Sequence, residues 1–175
     1  MMIQMIFICV FMSFNNEIIL FDTNNYVQQW YTTNDDVMGG VSNSSLKITE
    51  NGSADFSGTV STENNGGFAM ARLPVNIKLK EENSKIVLKI KGDGKKYQLR
   101  IKSKRFQRYW YVASFQSTNK TQELEIPLKD FFPSYRGYRL NFENFSAEKL
   151  EEIAILIGNK KNENFKLIIE KISIR

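Results

Sequence analysis

The chain predicts an all-β fold, a sandwich or barrel, on three observations. Apolar and polar residues alternate with period two through most of its segments. Turn-forming residues recur at short intervals, and almost no stretch carries helical periodicity. Alternation with one polar face is the pattern of antiparallel sheets that are wet on one side. Many short strands with little helix close into two packed sheets.

Taken in order, residues 1–16 form an apolar leader that contains Cys9. It fits the apolar region of a signal peptide, or else an apolar first strand. It is too short for a membrane-spanning helix. Strands are expected at residues 17–21, 44–49, 54–60 and 68–73. Residues 84–91 set Ile86, Leu88 and Ile90 against Lys85, Lys89 and Lys91, and residues 95–102 place Tyr97, Leu99 and Ile101 inward. Gly92-Asp93-Gly94 between them is a tight-turn sequence, which predicts a hairpin. Strands come next at 110–116 and 122–126, then a turn at 128–131 after Pro127. A second helical turn is expected at 147–150, capped by Ser146. Residues 153–157 are continuously apolar, which predicts a strand covered on both faces within 152–157. In the final strand, 165–174, Phe165, Leu167 and Ile169 fall on one face and Ile168, Ile172 and Ile174 on the other. One domain is expected, over residues 17–175.

A chain of 175 residues can bury a sizeable core. Its net charge is +5 and spread widely. The densest basic run, residues 102–108, precedes Tyr109-Trp110-Tyr111. Basic residues beside aromatics can grip single-stranded nucleic acid, but a solvated hairpin turn leading into a core strand is the favoured reading, and no nucleic-acid partner is expected. The chain has no His and one Cys. That removes the usual general base, any Ser-His or Cys-His pair, an internal disulfide and a Cys-rich zinc site. Neither a catalytic centre nor a cofactor or resident metal is expected. An enzyme built on paired carboxylates is a remote third reading, and a structural calcium ion a minor one.

Two Gly-Gly turns, Gly39-Gly40 and Gly66-Gly67, are the unusual punctuation of the chain. Glycine accepts close backbone approach and conformations closed to other residues. No Lys-Ser/Thr comes after either pair, so neither is a phosphate loop. Asp35 and Asp36 precede the first pair, and Arg72 ends the strand opened by the second. Adjacent carboxylates point apart in an extended chain, which favours a turn-capping role over shared metal binding. The expectation is that the two turns lie side by side at one end of the sandwich and that Asp35 pairs with Arg72. Arg136 sits in an aromatic-rich loop, where an Arg fork suits a carboxylate, a sugar or a partner backbone. Trp30 and Trp110 read most simply as core residues. Asp35, Asp36, Gly39, Gly40, Gly66, Gly67, Arg72 and Arg136 are the candidate binding residues.

Trp30 with Asn34-Asp35-Asp36-Val37-Met38-Gly39-Gly40-Val41-Ser42 after it resembles the opening signature of the complex I intermediate-associated protein 30 family. Further landmarks arrive in family order: Phe56-Ser57-Gly58, Asn65-Gly66-Gly67-Phe68-Ala69 with Arg72, and Gly92 to Tyr97 with Ser114-Phe115-Gln116. Ile126-Pro127-Leu128, Phe132 to Gly137 and Ile155-Leu156-Ile157-Gly158-Asn159-Lys160 complete the series, and Phe165-Lys166-Leu167 closes it. The chain is similar to a bacterial-type member. The resemblance implies a galactose-binding-like jelly-roll β-sandwich. It also implies a non-enzymatic, chaperone-like module that binds a protein partner, with respiratory-complex subunits as candidates. A carbohydrate- or small-ligand-binding module of the cell envelope is the alternative. Placement is expected to be cytoplasmic, or extracytoplasmic if the leader is cleaved, with no integral membrane span in the mature domain.

Overall fold

The computed structural model describes residues 17–23, 30–36 and 39–175. The leader expected at 1–16, with Cys9, lies outside the described residues. Strands β1 (Ile18–Asp22), β2 (Tyr31–Asn34), β3 (Asn43–Ile48), β4 (Ala54–Val60) and β5 (Ala69–Lys78) come first. Next are β6 (Lys85–Lys91), β7 (Lys96–Lys102), β8 (Trp110–Gln116) and β9 (Thr121–Pro127). Last come β10 (Phe132–Tyr135), β11 (Tyr138–Arg139), β12 (Lys149–Ile157) and β13 (Glu163–Ile174). Leu128–Asp130 makes the turn expected after Pro127.

The strands form two antiparallel sheets. One runs β3-β4-β13-β6-β9, with β1 also on β13; the other runs β11-β10-β8-β7-β12-β5-β2. The period-two pattern decides what lies between them. Ile86, Leu88 and Ile90 of the first sheet and Tyr97, Leu99 and Ile101 of the second are all fully buried. Each such aliphatic side chain contributes about 1.5–3 kcal/mol by leaving water. Phe21, Phe56 and Phe131 fill the same layer, and Tyr97 stacks on Phe115 with centroids 5.8 Å apart.

Three local expectations need correction. β6 and β7 are not a hairpin: β6 pairs with β13 and β9, whereas β7 pairs with β12 and β8. Gly92-Asp93-Gly94 carries the chain from one sheet to the other, so the two apolar faces meet across the core. Asp93 fastens this crossover. Its carboxylate accepts from Tyr97 Oη at 3.1 Å, from the Lys95 amide at 3.2 Å and from the Lys166 amide at 2.9 Å.

The second correction concerns β13. Its register shifts between Ile169 and Lys171. The extra residue flips the parity of the strand's C-terminal half, so Phe165, Leu167, Ile169, Ile172 and Ile174 all reach the core. The third is the helical turn expected at 147–150. Lys149 and Leu150 instead open β12, where Leu150 lies opposite Ile77 and is fully buried. Burying Leu150 outweighs the weak helix-start signal of Ser146.

Candidate functional site

Asp35 lies just past β2 at one end of the sandwich and is 5% exposed. Its carboxylate accepts from the Ser42 hydroxyl at 2.5 Å, the Ser42 amide at 3.1 Å, the Gly67 amide at 2.5 Å and the Phe68 amide at 3.3 Å. One side chain therefore gathers donors from both Gly-Gly turns. Asn64 adds a bond from its amide nitrogen to the Gly39 carbonyl, 2.9 Å, and the Ser42 hydroxyl accepts from the Ser61 amide at 3.0 Å. The expected side-by-side placement of the turns is what the structure shows.

The glycines leave room for this carboxylate. A β-carbon on Gly40 would fall 2.3 Å from Asp35 Oδ1, and one on Gly66 would fall 2.5 Å from Oδ2. Burial works to raise the Asp35 pKa, but the Ser42 hydroxyl and the amides of Gly67, Phe68 and Ser42 outweigh it and hold the group below its ordinary value. Every donor around Asp35 is an N–H or O–H, the set a carboxylate needs and a cation does not. Asp36 is exposed, and its carbonyl accepts from the Gly39 amide at 2.9 Å. Among the described residues no three His, Cys, Asp or Glu side chains converge as metal ligands.

Arg72 does not join this network. Register places Tyr31 opposite Arg72, and Arg72 opposite Ala154, on the outer face of the seven-stranded sheet. There Arg72 reaches Glu152, with Nε and Nη2 each 2.6 Å from Oε1. The expected Asp35–Arg72 pair is thus replaced by an Arg72–Glu152 pair. Tyr31 donates its hydroxyl to the same oxygen at 2.9 Å, and Lys102 Nζ lies 3.6 Å from Oε2. Trp110 completes the cluster, with Lys102 4.3 Å and Arg72 5.3 Å from its ring centroid. Arg72 also lies 4.9 Å over the Tyr31 ring.

This packing sets the electrostatics. Glu152 is 5% exposed and gathers two cations and a hydroxyl, which a buried carboxylate requires. Burial, then the bond to Glu152, raises the Tyr31 pKa. Burial lowers that of Lys102 against the pull of Glu152. Across Ala154 from Arg72, Arg100 folds onto Gln98 Oε1 at 2.7 and 3.0 Å, and burial brings its guanidinium down to about 10. A groove of about 660 Å³ runs beside the cluster, lined by Tyr31, Arg72, Pro74, Arg105, Phe106 and Glu152.

The eight candidate residues therefore separate into three places. Asp35, Gly39, Gly40, Gly66 and Gly67 meet at one end, with Asp36 beside them. Arg72 lies on the sheet face. Arg136 is at the tip of the β10–β11 turn, at the other end, with its guanidinium 5.5 Å from the Tyr135 ring. Trp30 packs against the main core and Trp110 against the smaller outer-face cluster of Met70, Ala154 and Leu156. The sequence pattern did not reveal Tyr31, Lys102 and Glu152. A signal existed for Glu152: a carboxylate at the head of a strand buried on both faces needs a cation.

Sequence comparison adds what geometry alone lacks. The model of the family described as complex I intermediate-associated protein 30 matches residues 19–169. The chain belongs to that family. Among curated relatives of this family, the probable mitochondrial complex I intermediate-associated protein 30 of Caenorhabditis briggsae is 27% identical. The match covers 88% of this chain and 52% of that relative. The counterpart in Caenorhabditis elegans is 26% identical with the same coverage. The chain thus spans about half the length of the curated relatives it matches. Among solved structures, the family 11 carbohydrate-binding module of the cellulase Lic26A-Cel5E of Clostridium thermocellum superposes with a TM-score of 0.70 at 17% identity, covering 90% of this chain and 93% of that one. A second structure of a family 11 module from that organism, with a mixed-linked tetrasaccharide bound, gives 0.68 at 18% identity over 90% and 94%. This member of the complex I intermediate-associated protein 30 family is accordingly a jelly-roll β-sandwich.

Proposed function

We propose that this chain is a non-catalytic module that binds a partner protein through the outer face of its seven-stranded sheet, in a role akin to assembly of a respiratory-complex intermediate. The carrying observation is the cluster around Glu152. Arg72, Lys102, Tyr31 and Trp110 are held by one another on a sheet face that borders a groove, with Tyr31 41% exposed. Arg, Trp and Tyr held rigid by their neighbours are what protein interfaces use as anchors. Family membership and the names of the curated relatives support the assembly reading.

A second reading is a carbohydrate- or small-ligand-binding module. Tyr31 exposed beside Arg72 favours it, because a ring and a guanidinium together can stack on and hydrogen-bond a sugar. The likeness to family 11 modules concerns the fold and does not choose a ligand.

Affinity capture of the tagged full-length protein from its own cells separates the two. Complex I subunits on the wild-type bait, depleted on a Tyr31→Ala bait, support the first reading. A bait that retains no respiratory subunit but binds an oligosaccharide on a glycan array, with loss in Tyr31→Ala, replaces it by the second.

A further inference from the structure

At the end of the sandwich opposite the Asp35 network, two turns project together. One is the β7–β8 loop, residues 103–109, and the other is the β10–β11 turn. Trp110 lies opposite Ser134 and Tyr135 opposite Tyr138, so both tips extend beyond the same edge of the sheet. Tyr109, at the end of the first, contacts Phe142, which follows β11, with 5.7 Å between ring centroids.

This end carries the largest exposed apolar side chains of the described residues. Phe106 is 91% exposed, Tyr138 78% and Phe142 62%. Exposed apolar side chains gathered at one end and rimmed by polar residues mark an interaction site for a protein or a membrane. The same tips carry Lys104, Arg105, Arg108, Arg136 and Arg139, none in an ion pair among the described residues. The nearby carboxylates are Glu143 and Glu151, and Glu151 is already bridged to Lys149 and to the Arg105 amide.

We propose that this end docks peripherally on an anionic lipid surface, with Phe106 and Tyr138 entering the headgroup layer and the five cations meeting lipid phosphates. Apolar tips ringed by Lys and Arg suit that partner, because apolar burial and attraction to anionic lipid act in the same direction. Single-stranded nucleic acid fits less well. It needs ring faces laid out in series, whereas Tyr109 packs at steep angles between Tyr111 and Phe142, 70° and 55°. Arg105 and Phe106 also line the groove beside the Glu152 cluster, but vesicle partitioning and capture of a partner protein are read separately, so one proposal can fail while the other holds.

The test is co-sedimentation of the full chain with phosphatidylcholine vesicles, plain or doped with phosphatidylglycerol. The wild type should partition onto doped vesicles and lose most of that binding in high salt. Phe106→Ser should weaken partitioning about tenfold, from the apolar burial it forfeits. The double variant Arg105→Glu with Arg108→Glu should weaken it at least as much. All forms carry the same N-terminal segment, so the differences report on the loop. Phe106 makes little contact with the fold, and unchanged melting of Phe106→Ser confirms that the domain is intact. Equal binding to plain and doped vesicles, or doped-vesicle binding unchanged in Phe106→Ser, overturns the proposal. So does release of the protein from vesicles by a single-stranded oligonucleotide that binds it more tightly.

Discussion

Asp35 and Gly66 approach so closely that a β-carbon on the glycine would lie 2.5 Å from a carboxylate oxygen. Gly66→Ala and Gly40→Ala therefore push the carboxylate off its donors. Each should cost about 1–3 kcal/mol. Asp35→Ala, which leaves the half-buried Gly67 and Phe68 amides without their acceptor, should cost about 2 kcal/mol or more. Urea unfolding reads all three. A Gly66→Ala protein as stable as wild type would show that the turn relaxes freely.

Acid should unfold the domain through carboxylates that the fold keeps ionised. Glu17 resists its own burial through Lys171, Ser173 and Arg175, and is lowered from 4.5 to about 2. Asp35 is also lowered from 3.8. A depressed folded-state pKa gives stability that is complete above the unfolded value and lost as pH falls through the folded one. The loss from Glu17 should run from about pH 4.5 down to about 2. Denaturant midpoints across that range should fall for wild type and flatten for Glu17→Gln.

Removing Glu152 should expose how much the outer-face cluster depends on one anion. Glu152→Ala leaves Arg72 and Lys102 facing each other and should cost about 2–4 kcal/mol, at the lower side of a fully buried pair because Arg72 is partly in water. Glu152→Gln keeps an acceptor for the Tyr31 hydroxyl and should cost less. Equal losses in the two variants would mean that shape, and not charge, holds the cluster.

Asp93 ties the crossover between sheets to Tyr97 and to the Lys166 amide. Asp93→Ala should destabilise by about 1–3 kcal/mol, since the buried Tyr97 hydroxyl and the Lys166 amide lose their partner, while the Lys95 amide keeps Ser117 Oγ at 3.1 Å. Hydrogen exchange should quicken at Lys166 more than at β3, which lies at the far edge of that sheet from β9. Uniform quickening would point to global loss without a local hinge.

Much of the fold was legible because burial writes itself into alternation. Ile86, Leu88, Ile90, Tyr97, Leu99 and Ile101 all point inward as expected. Alternation could not say whether β6 and β7 lie side by side or face to face, since both arrangements bury the same residues. The shift at Glu170 was hidden for a related reason: an inserted residue leaves composition unchanged and alters only parity. β2 and β10 were missed because Tyr-Thr-Thr-Asn is too polar, and Phe-Pro-Ser-Tyr carries a proline that argues against a strand. At the site, the adjacency of the Gly-Gly turns was readable from their special backbone. The partner of Arg72 was not, because Glu152 stands 80 positions away and is brought near only by the pairing of β5 with β12.

β13 pairs with β1, β4 and β6. It is synthesised after every strand it joins. On the ribosome those three strands emerge with their shared partner still unmade, so β4 can pair with β3 and β6 with β9, but nothing joins the two pairs into one sheet. Their exposed edges invite the wrong neighbours in that interval. Closure of this sheet is then a late, single event, triggered by the emergence of one segment, and slow-translation or chaperone effects on the yield of folded protein should concentrate there.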